Sequence, residues 1–148
     1  MQYYALSPEN RRSLTIFEVI SASGGQPPPP FVVIQGKCVM ADWLSPEMDP
    51  DIYIETSEKG FTTNEIAVKW LHHFIKHSNS GLTSDWKLLL MDNHGSHETG
   101  EFIELANCNY ILPYPLLLHS SHFIQPCNIG LFGPYKYWQN KRLNEAVA

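Results

Sequence analysis

The sequence predicts an α/β fold, on three observations. Lys87-Leu88-Leu89-Leu90-Met91 runs without a break into the carboxylate of Asp92, and a short apolar run bounded by turn residues is the pattern of a strand buried on both faces. Ile66, Trp70, Leu71, Phe74 and Ile75 recur at helical spacing. They follow a capping box from Thr62 to Glu65, which satisfies the free backbone N–H groups of a helix start. Ser13–Ala22 and Phe31–Gln35 are rich in β-branched and aromatic residues, as strands are.

Taken in order, residues 1 to 13 are polar and irregular. Ser13–Ala22 reads as a strand. Ser23-Gly24-Gly25 and Pro27 to Pro30 form a turn and a stiff extended stretch, which connects a hairpin to the strand Phe31–Gln35. Cys38–Lys59 has little periodicity and carries Asp42, Glu47, Asp49, Asp51, Glu55 and Glu58, so a solvated loop is expected. A helix follows over Thr63–His77. His72, His73 and His77 fall off its apolar stripe and are expected at the surface, and Gly81 is the stop. After the strand Trp86–Asp92, a helix is expected over His97–Ala106 with Phe102, Ile103 and Ala106 inward. Tyr110-Ile111-Leu112 is a third core strand, ended by Pro113 and Pro115. Leu116 to Gln125 is a loop, Pro126 to Gly130 a turn. The last helix, Leu131–Glu145, places Leu131, Tyr135, Trp138 and Leu143 near one face. Trp70 and Trp138 read as core residues. No internal repeat or domain boundary is visible, and 148 residues suit one domain or a large part of one.

The chain carries a net charge of −5 with pI near 5.7. Bulk electrostatics therefore cannot hold a phosphate backbone, and DNA contact needs a local basic patch. Lys136, Lys141 and Arg142 on the last helix are that patch, with an ordinary solvated helix face as the plainer reading. Three widely spaced cysteines (Cys38, Cys108, Cys127) suggest reduced packing thiols in a cytosolic or nuclear setting. No apolar run reaches the length of a membrane span.

Asp92 reads in two ways: as a ligand at a strand end, where open α/β folds place their chemistry, or as a turn opener or helix cap. Metal-dependent phosphoryl transfer would need further carboxylates from other strands, because two Mg²⁺ ions about 4 Å apart carry four positive charges. A zinc site is the second candidate. His94-x-x-His97, His119-x-x-His122, Cys108 and Cys127 are suitable ligand types, but their spacing matches no finger or ribbon.

Leu88–Phe102 (LLLMDNHGSHETGEF), His119–Phe132 (HSSHFIQPCNIGLF) and Gly133–Lys136 resemble the DDE superfamily endonuclease domain of pogo-type transposases, whose domesticated relatives include centromere protein B and jerky-like proteins. Asn10–Ala22, Pro28–Lys37 and Thr56–Leu71 resemble its fungal form. The resemblance implies a ribonuclease-H-like mixed sheet of five strands with flanking helices. It also implies a three-acid site using Mg²⁺ or Mn²⁺, DNA as partner, and a nuclear location. Asp92 matches the family's second acid, and His94, His97, His119 and His122 stand beside the acids. The third acid position, two residues beyond Gln125-Pro126, holds Asn128. The family's first acid lies on a central first strand upstream of the segment matching Ser7–Arg12, so both acid and strand are expected to be missing. The resemblance therefore implies a partial domain over 1–148. Without that strand the chain would close the gap, take a strand from another molecule (a homo-oligomer is one form of this) or stay partly molten, and marginal stability is expected. One carboxylate in place of three implies a transposase remnant without catalysis. The competing class is a domesticated DNA- or protein-binding domain.

Overall fold

A computed structural model of the chain describes residues 14–41, 44, 46–83, 85–92, 99–116 and 126–147, with backbone alone at 128, 129, 139, 143, 146 and 147. Five strands and four helices are seen among these residues: β1 (Leu14–Phe17), β2 (Phe31–Gln35), β3 (Tyr53–Ser57), α1 (Asn64–Ser78), β4 (Lys87–Met91), α2 (Gly100–Cys108), β5 (Ile111–Pro115), α3 (Pro126–Gly130) and α4 (Phe132–Val147). This mixed α/β arrangement of small sheets with flanking helices is consistent with a ribonuclease-H-like fold. The strands form two sheets rather than one of five: β1-β2-β3, and β4-β5.

β1 pairs antiparallel with β2, Leu14 opposite Ile34 and Phe17 opposite Phe31. The four prolines do connect a hairpin. β1 is shorter than the expected Ser13–Ala22, since strand pairing ends at Phe17. β3 lies parallel to β2 within the stretch expected to be loop. Its acidic residues obscured a strand: Glu55 faces α1, where its Oε2 accepts from Lys69 Nζ at 2.6 Å.

α1 confirms the helix and moves its cap by one residue. Thr63, not Thr62, is the N-cap, its hydroxyl accepting from Ile66 N at 3.3 Å. Asn79 in left-handed geometry (φ 53) closes the helix ahead of Gly81. Ile66, Trp70, Leu71 and Phe74 are buried as expected, Ala67 is buried with them, and Ile75 is half-buried. His73 is buried as well, against expectation, because the proline link folds over it. Its Nε2 lies 2.8 Å from Pro29 O, and its ring packs against Phe31 and Tyr53.

Phe31 and Val33 from the first sheet, Leu89, Met91 and Ile111 from the second, and α1 and α2 residues share one core. Trp70 sits at its centre, stacked on Phe17, Phe74 and Phe102 with ring centroids 5.5, 5.8 and 6.4 Å away. β4 is not buried on both faces. Leu89 and Met91 face the helices while Leu88 and Leu90 are exposed, because α1 and α2 cover a single side of the pair.

β5 continues through Pro113 and Pro115, which were expected to end it. It runs parallel to β4, Lys87 opposite Ile111 and Met91 opposite Pro115. Lys87 N donates to Tyr110 O and Leu116 N to Met91 O, both at 2.8 Å. In a parallel ladder alternate residues bond to the same neighbour, so Tyr110, Leu112, Tyr114 and Leu116 engage β4. The prolines fall on the positions whose N–H would point away from it, which an edge strand tolerates. α2 starts from an N-cap at Thr99 and runs past the expected end at Ala106 to Cys108, with Ile103 exposed rather than inward. Residues 126–130 form a short helix where a turn was expected, and Trp138 is exposed rather than core.

Candidate functional site

Asp92 immediately follows β4 and is half-buried. The parallel pairing brings the C-terminal ends of β4 and β5 together there, the place where α/β sheets present ligand-binding residues. The physical cause is tertiary: pairing with β5 holds the leucine run extended, and Asp92 is the first residue beyond the paired stretch Lys87–Met91. His94, His97, His119 and His122 lie outside the described residues.

Asn128 is placed by its helix. α3 docks against the chain leaving β1, where Cys127 Sγ donates to Glu18 O at 3.7 Å. Burial pushes the Cys127 thiol up from its ordinary value. One turn into α4, Tyr135 Oη donates to Glu18 Oε1 at 2.7 Å. That bond, then burial and the carboxylate's charge, push the Tyr135 phenol up to about 12. Glu18 is thus an acid brought to the helix that bears Asn128, and sequence reasoning missed it. One signal was present: it is the sole charged residue in Ser13–Ala22.

The basic cluster is confirmed as exposed. Lys141 Nζ stands 4.9 Å from the Trp138 ring centroid, and Arg142 Nη1 lies 3.9 Å from Glu145 Oε2. A shallow hollow of about 540 Å³ runs along Tyr137, Asn140, Lys141, Asn144 and Glu145. Its lining includes Lys141 but not Asp92.

A pair of divalent cations requires converging oxygen anions. Two dications about 4 Å apart repel by about 4 kcal/mol even in bulk water, and by more at a protein surface. Among the described residues no group of three or more His, Cys, Asp or Glu side chains is placed to hold a metal ion. The described donors therefore do not fit a two-metal centre, nor do they assemble a zinc site. Cys38 and Cys108 are free and exposed rather than packing residues, and Cys127 is free and engaged with Glu18.

A mixed α/β domain with an acid at the end of a parallel strand belongs to the broad class of α/β folds that place ligand-binding residues at the carboxyl ends of their strands. More particularly, the chain belongs to the DDE superfamily endonuclease family, whose model matches residues 11–147. Endonucleases of this family generally use divalent metal ions, and the ancestral partner is DNA. The chain is also similar to a protein of Cochliobolus lunatus named MFS-type transporter clz9, at 39% identity over 143 residues. That alignment takes in 97% of this chain and 16% of the relative, so the chain spans about a sixth of that protein's length. No helix among the described residues is long and apolar enough to cross a membrane. No solved structure matches.

Proposed function

We propose that this chain is a nuclease domain of transposase descent, of the pogo type in its fungal form, that no longer cuts DNA. The observation carrying this reading is Asn128 at the third acid position of a family whose chemistry rests on three carboxylates. An amide offers one carbonyl oxygen and no charge. Even if polypeptide preceding residue 1 supplied another acid beside Asp92, the third negative charge would still be missing. Glu18 is held against α3 by the bond from Cys127 to its backbone carbonyl, but its Oε1 is engaged by Tyr135. The outer edges of β1 and β4 support a further part of the reading, that a central strand belongs between the two sheets.

The setting that fits this descent is nuclear, with DNA as the partner and Lys136, Lys141 and Arg142 as the contact. A domesticated, non-catalytic DNA-binding domain is the second reading, favoured by the exposure of that cluster. Incubation of the chain with Mn²⁺ or Mg²⁺ and a labelled terminal-repeat duplex tests the first. No nicking is expected from the native chain. Metal-dependent nicking that Asp92→Ala abolishes would overturn it.

A further inference from the structure

α4 sets positive charge and aromatic surface side by side. Lys136, Lys141 and Arg142 share it with one acid, Glu145, in a chain whose net charge is −5. Tyr137 and Trp138 fall between those cations in the sequence, and they are 63% and 54% exposed. Two adjacent large rings in open solvent mark a contact surface. Their planes stand 79° apart with centroids at 5.5 Å, so the two rings face different directions.

The cations repeat with the rings. Lys141 follows Tyr137, and Arg142 follows Trp138, by four residues, which sets each pair about 6 Å apart along one strip of the helix. Lys141 Nζ also stands 4.9 Å from the Trp138 ring centroid, within cation–π reach. Arg142 meets Glu145 at 3.9 Å with its side chain 84% exposed. So exposed a pair is weak, and it leaves the guanidinium open to a phosphate. Asn140 and Asn144 line the hollow beside Tyr137 and Lys141, where their amides can both donate to and accept from a base edge.

We propose that α4 binds single-stranded DNA, unpaired bases stacking on Tyr137 and Trp138 while Lys136, Lys141 and Arg142 hold the flanking phosphates. This deepens the reading of the basic cluster as the DNA contact, and rests on it. The cations alone would serve a duplex as well. The rings decide between the two, because bases inside a duplex are already stacked on one another, whereas every unpaired base offers an open face to an aromatic side chain. The four-residue repeat supplies a strand with one ring and one cation per nucleotide, the combination that single-strand sites use. The surroundings of the rings point the same way. Three cations and two amides frame them, and the centre of a protein–protein interface is depleted of charge.

Fluorescence anisotropy tests it, with the whole chain titrated into a dye-labelled oligothymidylate of about 16 nucleotides and into a duplex of equal length. The strand is expected to bind about tenfold or more tighter than the duplex. Tyr137→Ala and Trp138→Ala should each weaken strand binding by about fivefold to a hundredfold, with far-ultraviolet circular dichroism unchanged, since both side chains are exposed. Trp138→Phe, which keeps a flat ring, should retain most of the affinity, and Tyr137→Leu, which keeps bulk without one, should not. Lys141→Gln should reduce the salt slope for the strand by about 0.7, one phosphate contact. Strand binding indifferent to the ring substitutions overturns the proposal. So does tighter binding to oligouridylate than to oligothymidylate, which would assign α4 to RNA. Duplex binding as tight as strand binding, sensitive to Lys141→Gln and not to the rings, overturns the single-strand assignment and leaves the DNA contact standing. Binding to neither overturns both.

Discussion

Tyr135 donates its hydroxyl hydrogen to Glu18 at 2.7 Å across 117 residues of sequence, and with the Cys127 contact it fixes the C-terminal helices to the chain leaving β1. Removing the hydroxyl with Tyr135→Phe is expected to cost about 1 kcal/mol, a typical net hydrogen-bond contribution. Urea denaturation measures it, and the same loss should follow Glu18→Ala, which removes the acceptor, without adding in the double variant. The bond favours the neutral phenol, whose folded pKa lies above its ordinary value. Its contribution is therefore complete below the ordinary value of 10.0 and is lost as pH rises through about 12. The gap between native and Tyr135→Phe stabilities should close over that window.

Gly81 adopts φ +81, and a Cβ there would stand 2.7 Å from Asn109 Oδ1. The amide cannot easily yield, because Asn109 Nδ2 donates to Leu105 O at 2.8 Å. Gly81→Ala is expected to destabilise by about 1–3 kcal/mol. Adding Asn109→Ala should recover the part due to the clash and leave the part due to the backbone angle. Thermal unfolding of the two variants separates these terms.

His73 is held neutral. Burial lowers its pKa from 6.5, His77 (rings 4.5 Å apart) and Lys76 push the same way, and the bond to Pro29 O and the charge of Asp51 oppose. A depressed folded value means the unfolded chain takes up the proton first. The stability His73 contributes is therefore present above pH 6.5 and is lost as pH falls through its lower folded value. His73→Gln should flatten the loss of stability between neutral and mildly acid pH, read from denaturant midpoints at each pH. An unchanged slope would count against a neutral, buried His73.

How much of this was legible before the structure depended on how local the cause was. α1 and β2 were readable because their signals, a cap with a periodic stripe and a β-branched run, lie within the element itself. β3 was not: alternation in Ile54-Glu55-Thr56 is there, but in an acidic stretch it passes for loop until β2 supplies a partner. His73 looked exposed because its cover, Pro29, comes from 44 residues upstream. For the site, Asp92 was visible as an acid ending an apolar run. Glu18 was not singled out, since its meeting with Tyr135 exists only through tertiary docking. The exposure of Leu88 and Leu90 was hidden as well, because an apolar run says a face wants cover and not whether this chain provides it.

The prolines of β5 bear on how the molecule behaves when crowded. Edge strands invite addition of further strands through unpaired N–H groups, and Pro113 and Pro115 remove two such donors from the outer rim of β5. Through this ribbon, edge-on growth is left with the β4 side alone. Two molecules joined along that rim would each present a back poor in donors, so the β4–β5 ribbon itself would not lengthen beyond the pair.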